Sequence, residues 1–128
     1  MVQVKLRIRD NSIRLRLTRI EVDTVSSTGI VKARVSVPGG DGLDYVLECS
    51  AIAERPSASF SGGALTVTLP ESELMQWATS EQVSIEADED LGHGDSLKIL
   101  VEKDFACLAP REGEDETDMY PHPLEGQD

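Results

Sequence analysis

The stretch Ile13-Arg14-Leu15-Arg16-Leu17 alternates apolar and charged residues, which is typical of a β-strand with one buried face. The stretch Leu65-Thr66-Val67-Thr68-Leu69 repeats its apolar positions 52 residues later. With the same offset and no gap, the hydrophobic pattern of residues 8–50 falls on that of residues 60–102. The sequence therefore predicts one structural unit that is used twice.

Turn and capping signals divide each unit into two strands, a helix and two further strands. Asp10-Asn11 is a two-residue turn signal between two alternating stretches. Thr18-Arg19-Ile20-Glu21 is a capping box that starts a helix over residues 19–28, and Pro70 starts a second helix that runs through Trp77. The predicted strands span residues 4–9, 12–17, 30–37, 43–51, 57–60, 64–69, 83–88 and 96–102.

These elements predict a single α+β domain over residues 1–109, with repeats 4–51 and 57–102, followed by an acidic tail over residues 110–128. Eight amphipathic antiparallel strands must hide one apolar face, and two short helices cover little of it. We therefore expect the duplicated ββαββ unit to form an eight-stranded antiparallel curved sheet or barrel. Both helices would lie outside, and the charged face would point inward. Core packing is the expected role of Trp77.

The net charge of −12 is unevenly distributed along the chain. Residues 1–34 contain eight basic residues (Lys or Arg) and three acidic residues (Asp or Glu). Residues 35–110 contain three basic and 14 acidic residues, and residues 111–128 contain one basic and seven acidic residues. An acidic chain is poorly suited to duplex nucleic acid, because nonspecific affinity rests on cationic contacts to phosphate. No stretch approaches the roughly 20 apolar residues of a membrane-spanning helix, and no signal-peptide core is present. We expect a cytoplasmic protein without a membrane partner.

Cations are concentrated on the polar face of the first repeat. A two-residue turn at Asp10-Asn11 places Arg7 opposite Arg14 and Lys5 opposite Arg16, and like charges in such pairs are mutually unfavourable. Anions are therefore expected nearby. The candidate anion-binding residues are Lys5, Arg7, Arg9, Arg14, Arg16, Lys32 and Arg34.

Two interpretations of these cations remain open. In the first, they bind a small phosphate-rich or carboxylate-rich anion or an acidic peptide segment, because guanidinium groups grip the oxygens of both. In the second, they belong to a solvated sheet face on which the protein's own carboxylates pair with them. The second repeat has Thr66, Thr68, Ser84 and Glu86 at the positions of Arg14, Arg16, Lys32 and Arg34, so the fold can be built without those cations.

Read from the second strand, the predicted element order is β-α-β-β-β twice. This order, with charges on the concave side, resembles the CYTH-like triphosphate tunnel fold, in which Lys and Arg hold polyphosphate and Glu binds a divalent metal. The resemblance is topological and covers about residues 4–102. That family's amino-terminal Glu-x-Glu-x-Lys motif is absent, and its nearest counterparts are Lys5-Leu6-Arg7-Ile8-Arg9 and Arg14-Leu15-Arg16. It implies phosphate binding and, as an alternative function, a metal-dependent triphosphate phosphohydrolase. The candidate Mg²⁺ ligands are Glu48, Glu86 and Glu102.

Two further segments complete the sequence-based expectations. Arg7-Ile8-Arg9-Asp10-Asn11-Ser12-Ile13-Arg14 and Val101-Glu102-Lys103-Asp104-Phe105-Ala106-Cys107-Leu108 resemble a small bacterial family of unknown function, which implies no particular activity. The acidic composition of residues 111–118 is typical of a solvated, disordered tail. Alternatively, the tail folds back over the basic strands and competes with their ligand, since both lie on one chain.

Overall fold

The computed structural model describes residues 4–40 and 42–105. In chain order the elements are β1 (Lys5–Arg9), β2 (Ser12–Leu17), α1 (Arg19–Thr28), β3 (Ile30–Val35), β4 (Leu43–Ser50), β5 (Ser57–Ser61), β6 (Ala64–Pro70), α2 (Glu71–Thr79), β7 (Ser84–Gly92) and β8 (Asp95–Lys103). The predicted ββαββ order therefore occurs twice. The predicted tail and Cys107 lie outside the described residues.

The eight strands form two separate four-stranded sheets. Sheet A has the order β1-β2-β8-β7, and sheet B has the order β3-β4-β6-β5. Each sheet thus contains one hairpin from each repeat. The first hairpin of one repeat pairs with the second hairpin of the other repeat in both sheets. The hairpins meet in parallel, β2 with β8 and β4 with β6, whereas all other pairs are antiparallel. The expectation of a wholly antiparallel sheet was wrong, because strand partners come from different repeats.

The constant offset of 52 residues holds for only half of each repeat. The first hairpins keep it, since Leu6↔Leu15 in β1–β2 corresponds to Ala58↔Val67 in β5–β6. The second hairpins are related by 54, since Ile30↔Glu48 corresponds to Ser84↔Glu102. The physical reason lies at the helix ends. Gly29 ends α1 in the left-handed region at φ 83 and leads directly into β3, whereas α2 ends at an extended Ser80 and needs a longer connection.

Strand β7 extends further than the sequence pattern predicts. The acidic residues 89–92 were expected in a loop, but β7 continues through Gly92 with a bulge between Asp90 and Gly92. The hairpin turn then contains His93 at φ 57 and Gly94 at φ 81. Charged residues are tolerated there because β7 is an edge strand of sheet A, where charge discourages aggregation.

One apolar core lies between the two sheets and the two helices. It contains alternate residues of both sheets together with Val22 and Val25 of α1 and Leu74 and Trp77 of α2. Trp77 is fully buried and donates Nε1–H to the carbonyl of Val83 at 2.9 Å, which confirms the predicted core role. The helices contact each other and both sheets.

The expected barrel is not formed by the described residues, which close no continuous sheet. The inward faces of both sheets are largely apolar, and most charged residues of the strands lie on the outward faces. Glu89 near the end of β7 and Lys103 at the end of β8 are exceptions, since they pair in register with the inward-facing Leu97 and Leu17. This arrangement reverses the expected direction of the charged face. Two amphipathic sheets bury their apolar sides against each other, so that no concave polar interior is left.

The first turn of α1 contains the predicted capping box. Thr18 N–H donates to Glu21 Oε1 at 2.8 Å, and Glu21 N–H donates to Thr18 Oγ1 at 3.4 Å. Glu21 is 1% exposed, and its Oε2 is the one buried side-chain polar atom in the described chain without a hydrogen-bond partner. Neither described helix is long and apolar enough to cross a bilayer.

The capping box makes Glu21 more important for stability than its exposed neighbour Asp23. Glu21→Ala leaves the Thr18 N–H without its acceptor in a partly buried site, so we expect the free energy of unfolding to fall by about 1–3 kcal/mol. Asp23→Ala on the exposed side of the same helix should stay within about 0.5 kcal/mol of the native value. Urea unfolding measures both. Equal losses in the two variants would contradict the stabilising role of Glu21.

Candidate functional site

The outward face of sheet A changes sign from one edge to the other. The register places the predicted like-charge pairs Lys5↔Arg16 and Arg7↔Arg14 directly opposite each other, as the sequence predicted. Strand β8 follows with both signs, and β7 at the far edge is acidic. The outward charges of β1 and β2 are Lys5, Arg7, Arg9, Arg14 and Arg16, and those of β7 are Glu86, Asp88 and Asp90.

Arg16 is held by a carboxylate of the neighbouring parallel strand. Its Nε and Nη2 atoms lie 2.9 and 2.8 Å from Glu102 Oε1, and both side chains are 16% exposed. Arg14 Nε lies 3.6 Å from the same oxygen. The other sheet repeats this contact without charge pairing, because Thr68 Oγ1 donates to Glu48 Oε1 at 3.1 Å at the equivalent register position. Arg16 and Glu102 therefore join two repeats across a sheet.

Of the other predicted cations, Lys5 lies opposite Arg16 but has its own carboxylate partner, whereas Lys32 and Arg34 lie on the other sheet. Lys5 Nζ pairs with Asp104 Oδ2 at 2.8 Å at the start of β1. Lys32 and Arg34 lie on the outward face of sheet B, where Arg34 Nη1 is 3.1 Å from Asp44 Oδ1. The seven predicted residues thus do not form one site, since β3 belongs to the other sheet. The interpretation of a face neutralised by its own carboxylates holds for Arg16, Lys5 and Arg34.

Arg7 and Arg9 differ from their neighbours. Both are exposed, and within residues 4–40 and 42–105 no carboxylate lies within ion-pair distance of either side chain. Arg7 faces Arg14, whose ion pair with Glu102 is long and shared with Arg16. Arg7, Arg9 and Arg14 form an excess of positive charge, which we call the basic hairpin face.

Among residues 4–40 and 42–105, no strand pairs with the outer edge of β1, which borders this face of sheet A. On the equivalent edge of sheet B, Ala58 N–H points away from β6 and donates to Glu89 Oε1 of β7 at 2.9 Å. Leu6 occupies the register position of Ala58, so its N–H also points away from its partner strand, as does that of Ile8 by alternation. The residue equivalent to Glu89 is Val35, whose side chain has no hydrogen-bond acceptor. With respect to the described part of the chain, β1 therefore keeps main-chain groups available for pairing.

The three predicted metal ligands do not converge. Glu102 and Glu86 lie on β8 and β7 of sheet A, and Glu102 is engaged by arginines. Glu48 lies on β4 of sheet B and accepts from Thr68. Across residues 4–40 and 42–105, no three His, Cys, Asp or Glu side chains are placed to hold a metal ion. The charged faces also line no tunnel, so the geometry required for the triphosphate hydrolase alternative is missing from the described chain.

An apolar cleft of about 370 Å³ lies between the sheets at the turn end, opposite the helices. It is lined by three pairs of equivalent residues and by the polar turn of the first hairpin. Ile8 and Phe60 are 61% and 67% exposed at its mouth. Sequence reasoning did not identify the cleft, although apolar residues adjacent to both hairpin turns were a usable signal. The apolar pairs are Ile8 and Phe60, Ile13 and Leu65, and Leu43 and Leu97.

The architecture defines a two-sheet α+β domain built from an internal duplication with an exchange of hairpins between sheets. A family model described as "Family of unknown function (DUF7009)" matches residues 4–124, and the chain belongs to this family. The comparisons with curated proteins and with solved structures returned no match. The similarity to a family without an assigned activity is therefore supported, and a link to the CYTH-like fold is not.

The contacts predict opposite roles for two arginines of the same hairpin. Arg16→Gln removes the close partner of a half-buried carboxylate, so the free energy of unfolding should fall by about 1–3 kcal/mol. Arg7→Gln removes one member of a like-charge pair, so stability should stay the same or rise by about 0.2–1 kcal/mol. Urea unfolding at low ionic strength compares them. A larger loss for Arg7→Gln would show that Arg7 has a stabilising partner.

Proposed function

We propose that this protein is a nonenzymatic binding module that takes an extended, carboxylate-rich peptide segment along β1. The observation that carries the proposal is the combination of Arg7 and Arg9, which are unpaired within the described residues, with an open strand edge next to them. A bound strand would pair its main chain with β1, and its carboxylates would meet the basic hairpin face.

The outward direction of the face favours an extended ligand over a small enclosed anion. Binding pockets for small ligands are concave and surround most of the ligand, whereas Arg7 and Arg9 are exposed on the flank of a sheet. Side chains two residues apart on a strand are separated by about 6.6–6.8 Å. A peptide with an acidic residue at every second position therefore repeats with the same spacing as Lys5, Arg7 and Arg9.

The expected affinity is modest. Each exposed ion pair contributes about 0.2–1 kcal/mol, and each main-chain hydrogen bond contributes about 0.5–1.5 kcal/mol net. Ordering the peptide offsets part of this gain. A dissociation constant on the order of 100 µM is therefore reasonable, and it should weaken as salt screens the exposed charges.

An NMR titration of the full chain tests the proposal. The probe is an acetylated and amidated peptide Glu-Val-Glu-Val-Glu-Val, with Gln-Val-Gln-Val-Gln-Val as the uncharged control. We expect the acidic probe to shift the amide signals of Leu6 and Ile8, because pairing of the peptide changes the surroundings of the main-chain groups on the β1 edge. The control peptide should bind at least fivefold more weakly.

Matched variants separate the basic hairpin face from net charge. Arg7→Gln/Arg9→Gln should weaken the acidic probe at least fivefold, whereas Lys32→Gln/Arg55→Gln removes two exposed cations elsewhere and should change its affinity less than twofold. Equal weakening by both pairs would contradict a site on β1. Release of phosphate from tripolyphosphate with Mg²⁺ would contradict the nonenzymatic role.

A further inference from the structure

We propose that the C-terminal segment of this chain is an internal ligand of the same module. Residues 112–118 would lie along β1, and residues 120–124 would fill the apolar cleft. This inference rests on the proposed function for its effect on other ligands, because an internal acidic strand would compete with an external one. The docking itself is judged separately by the β1 and cleft signals of the unliganded protein.

The described chain ends beside the start of β1. Asp104 N–H donates to the carbonyl of Leu17 at 2.8 Å, and Asp104 Oδ2 pairs with Lys5 Nζ at 2.8 Å. Phe105, the last described residue, is 56% exposed. The chain therefore leaves sheet A at the helix end, next to the first cation of the hairpin.

The length of the following segment fits a path to the open edge. The chain must cross from β8 over β2 and β1, which is about 14 Å at the usual strand spacing. The five residues 106–110 span up to about 17 Å when extended. The acidic residues would then begin at Lys5 and run parallel to β1 toward Arg9. β1 itself is about 17 Å long.

The acidic segment has the periodicity of a strand with one charged face. Its carboxylates recur at every second position, while Gly113, Asp115 and Thr117 fall on the other face. In an extended strand these alternate positions lie on one side. β1 presents three cations with the same period of two, so three of the carboxylates would lie opposite Lys5, Arg7 and Arg9. The recurring carboxylates are Glu112, Glu114, Glu116 and Asp118.

The segment after the acidic residues is suited to the cleft. An extended chain that passes Arg9 arrives at Ile8, Phe60 and the turn of the first hairpin, where the cleft opens. Residues 119–124 read Met-Tyr-Pro-His-Pro-Leu and carry no acidic side chain. Burying Tyr120 and Leu124 there would cover the two most exposed apolar residues of the cleft mouth.

The extent of the family match supports one functional unit. The family model matches residues 4–124, which includes both the acidic segment and residues 120–124. The pattern that defines the family therefore continues beyond the two sheets to the end of the segment that would fill the cleft. A connection within one chain also gives the segment a millimolar effective concentration, which favours docking despite weak individual contacts.

The test compares two full-length variants that each remove two acidic charges. Glu114→Gln/Glu116→Gln changes the row that would face Arg7 and Arg9, and Glu125→Gln/Asp128→Asn changes charges outside the proposed contact. We expect only the first variant to shift the amide signals of Leu6 and Ile8 and to increase their hydrogen exchange. It should also bind the Glu-Val peptide about fivefold to tenfold more tightly than the native chain does.

A third variant tests the cleft. Leu124→Asp introduces a charge into the segment proposed for the apolar cleft, so signals of Phe60, Leu65 and Leu97 should shift. Asp115→Asn removes a charge from the opposite face of the acidic segment. It should leave the peptide affinity within twofold.

The outcomes distinguish failure of this inference from failure of the proposed function. Equal peptide affinities in both double variants, together with unchanged β1 signals, would overturn internal docking while leaving the binding module intact. Absence of peptide binding in every variant would overturn the proposed function. Shifts of the β1 signals that depend on protein concentration would show docking on a second copy and would overturn the internal arrangement.

Discussion

The parallel pairings of β2 with β8 and of β4 with β6 determine the rest of this structure. Each pairing joins a hairpin of one repeat to a hairpin of the other, so neither repeat builds a sheet alone. The apolar side chains of all four hairpins then meet in one core, which the helices complete. Because these contacts are distant in sequence, the loop-closure entropy must be overcome before most of the core is buried.

The two repeats have kept the same frame but different charges. Glu102 and Glu48 occupy equivalent positions at the centres of the two sheets, yet one accepts from Arg16 and the other from Thr68. The outer strands of the two sheets also differ. The main-chain N–H of Ala58 donates to Glu89, whereas the equivalent N–H of Leu6 has no such side-chain acceptor within the described residues. Because the fold is duplicated, each repeat can be compared with the other at equivalent positions. Features of one copy that the other lacks are not required by the fold, and they are candidates for function.

Local sequence signals predicted local structure well. The turn at Asp10-Asn11, the capping box at Thr18 and the side chains that share the apolar face of a strand follow from short-range geometry and from the alternation of side chains, and the structure confirms them. The opposition of Arg7 and Arg14 was predictable for the same reason.

Long-range pairing was not predictable from these signals. Strand partners depend on which apolar faces meet, so alternation alone does not separate a barrel from two stacked sheets. That ambiguity explains why the charged face was wrongly expected to point inward. It also explains why Lys32 and Arg34 were grouped with cations that lie on the other sheet. The sequence pattern did not reveal the 54-residue offset of the second hairpins. It differs from 52 by an even number, so apolar positions still fall on apolar positions.

Each sheet takes one hairpin from each repeat. Two identical ββαββ chains could assemble the same pair of sheets as a symmetric homodimer, and the peptide link between Ser50 and Ser57 turns that bimolecular association into unimolecular folding.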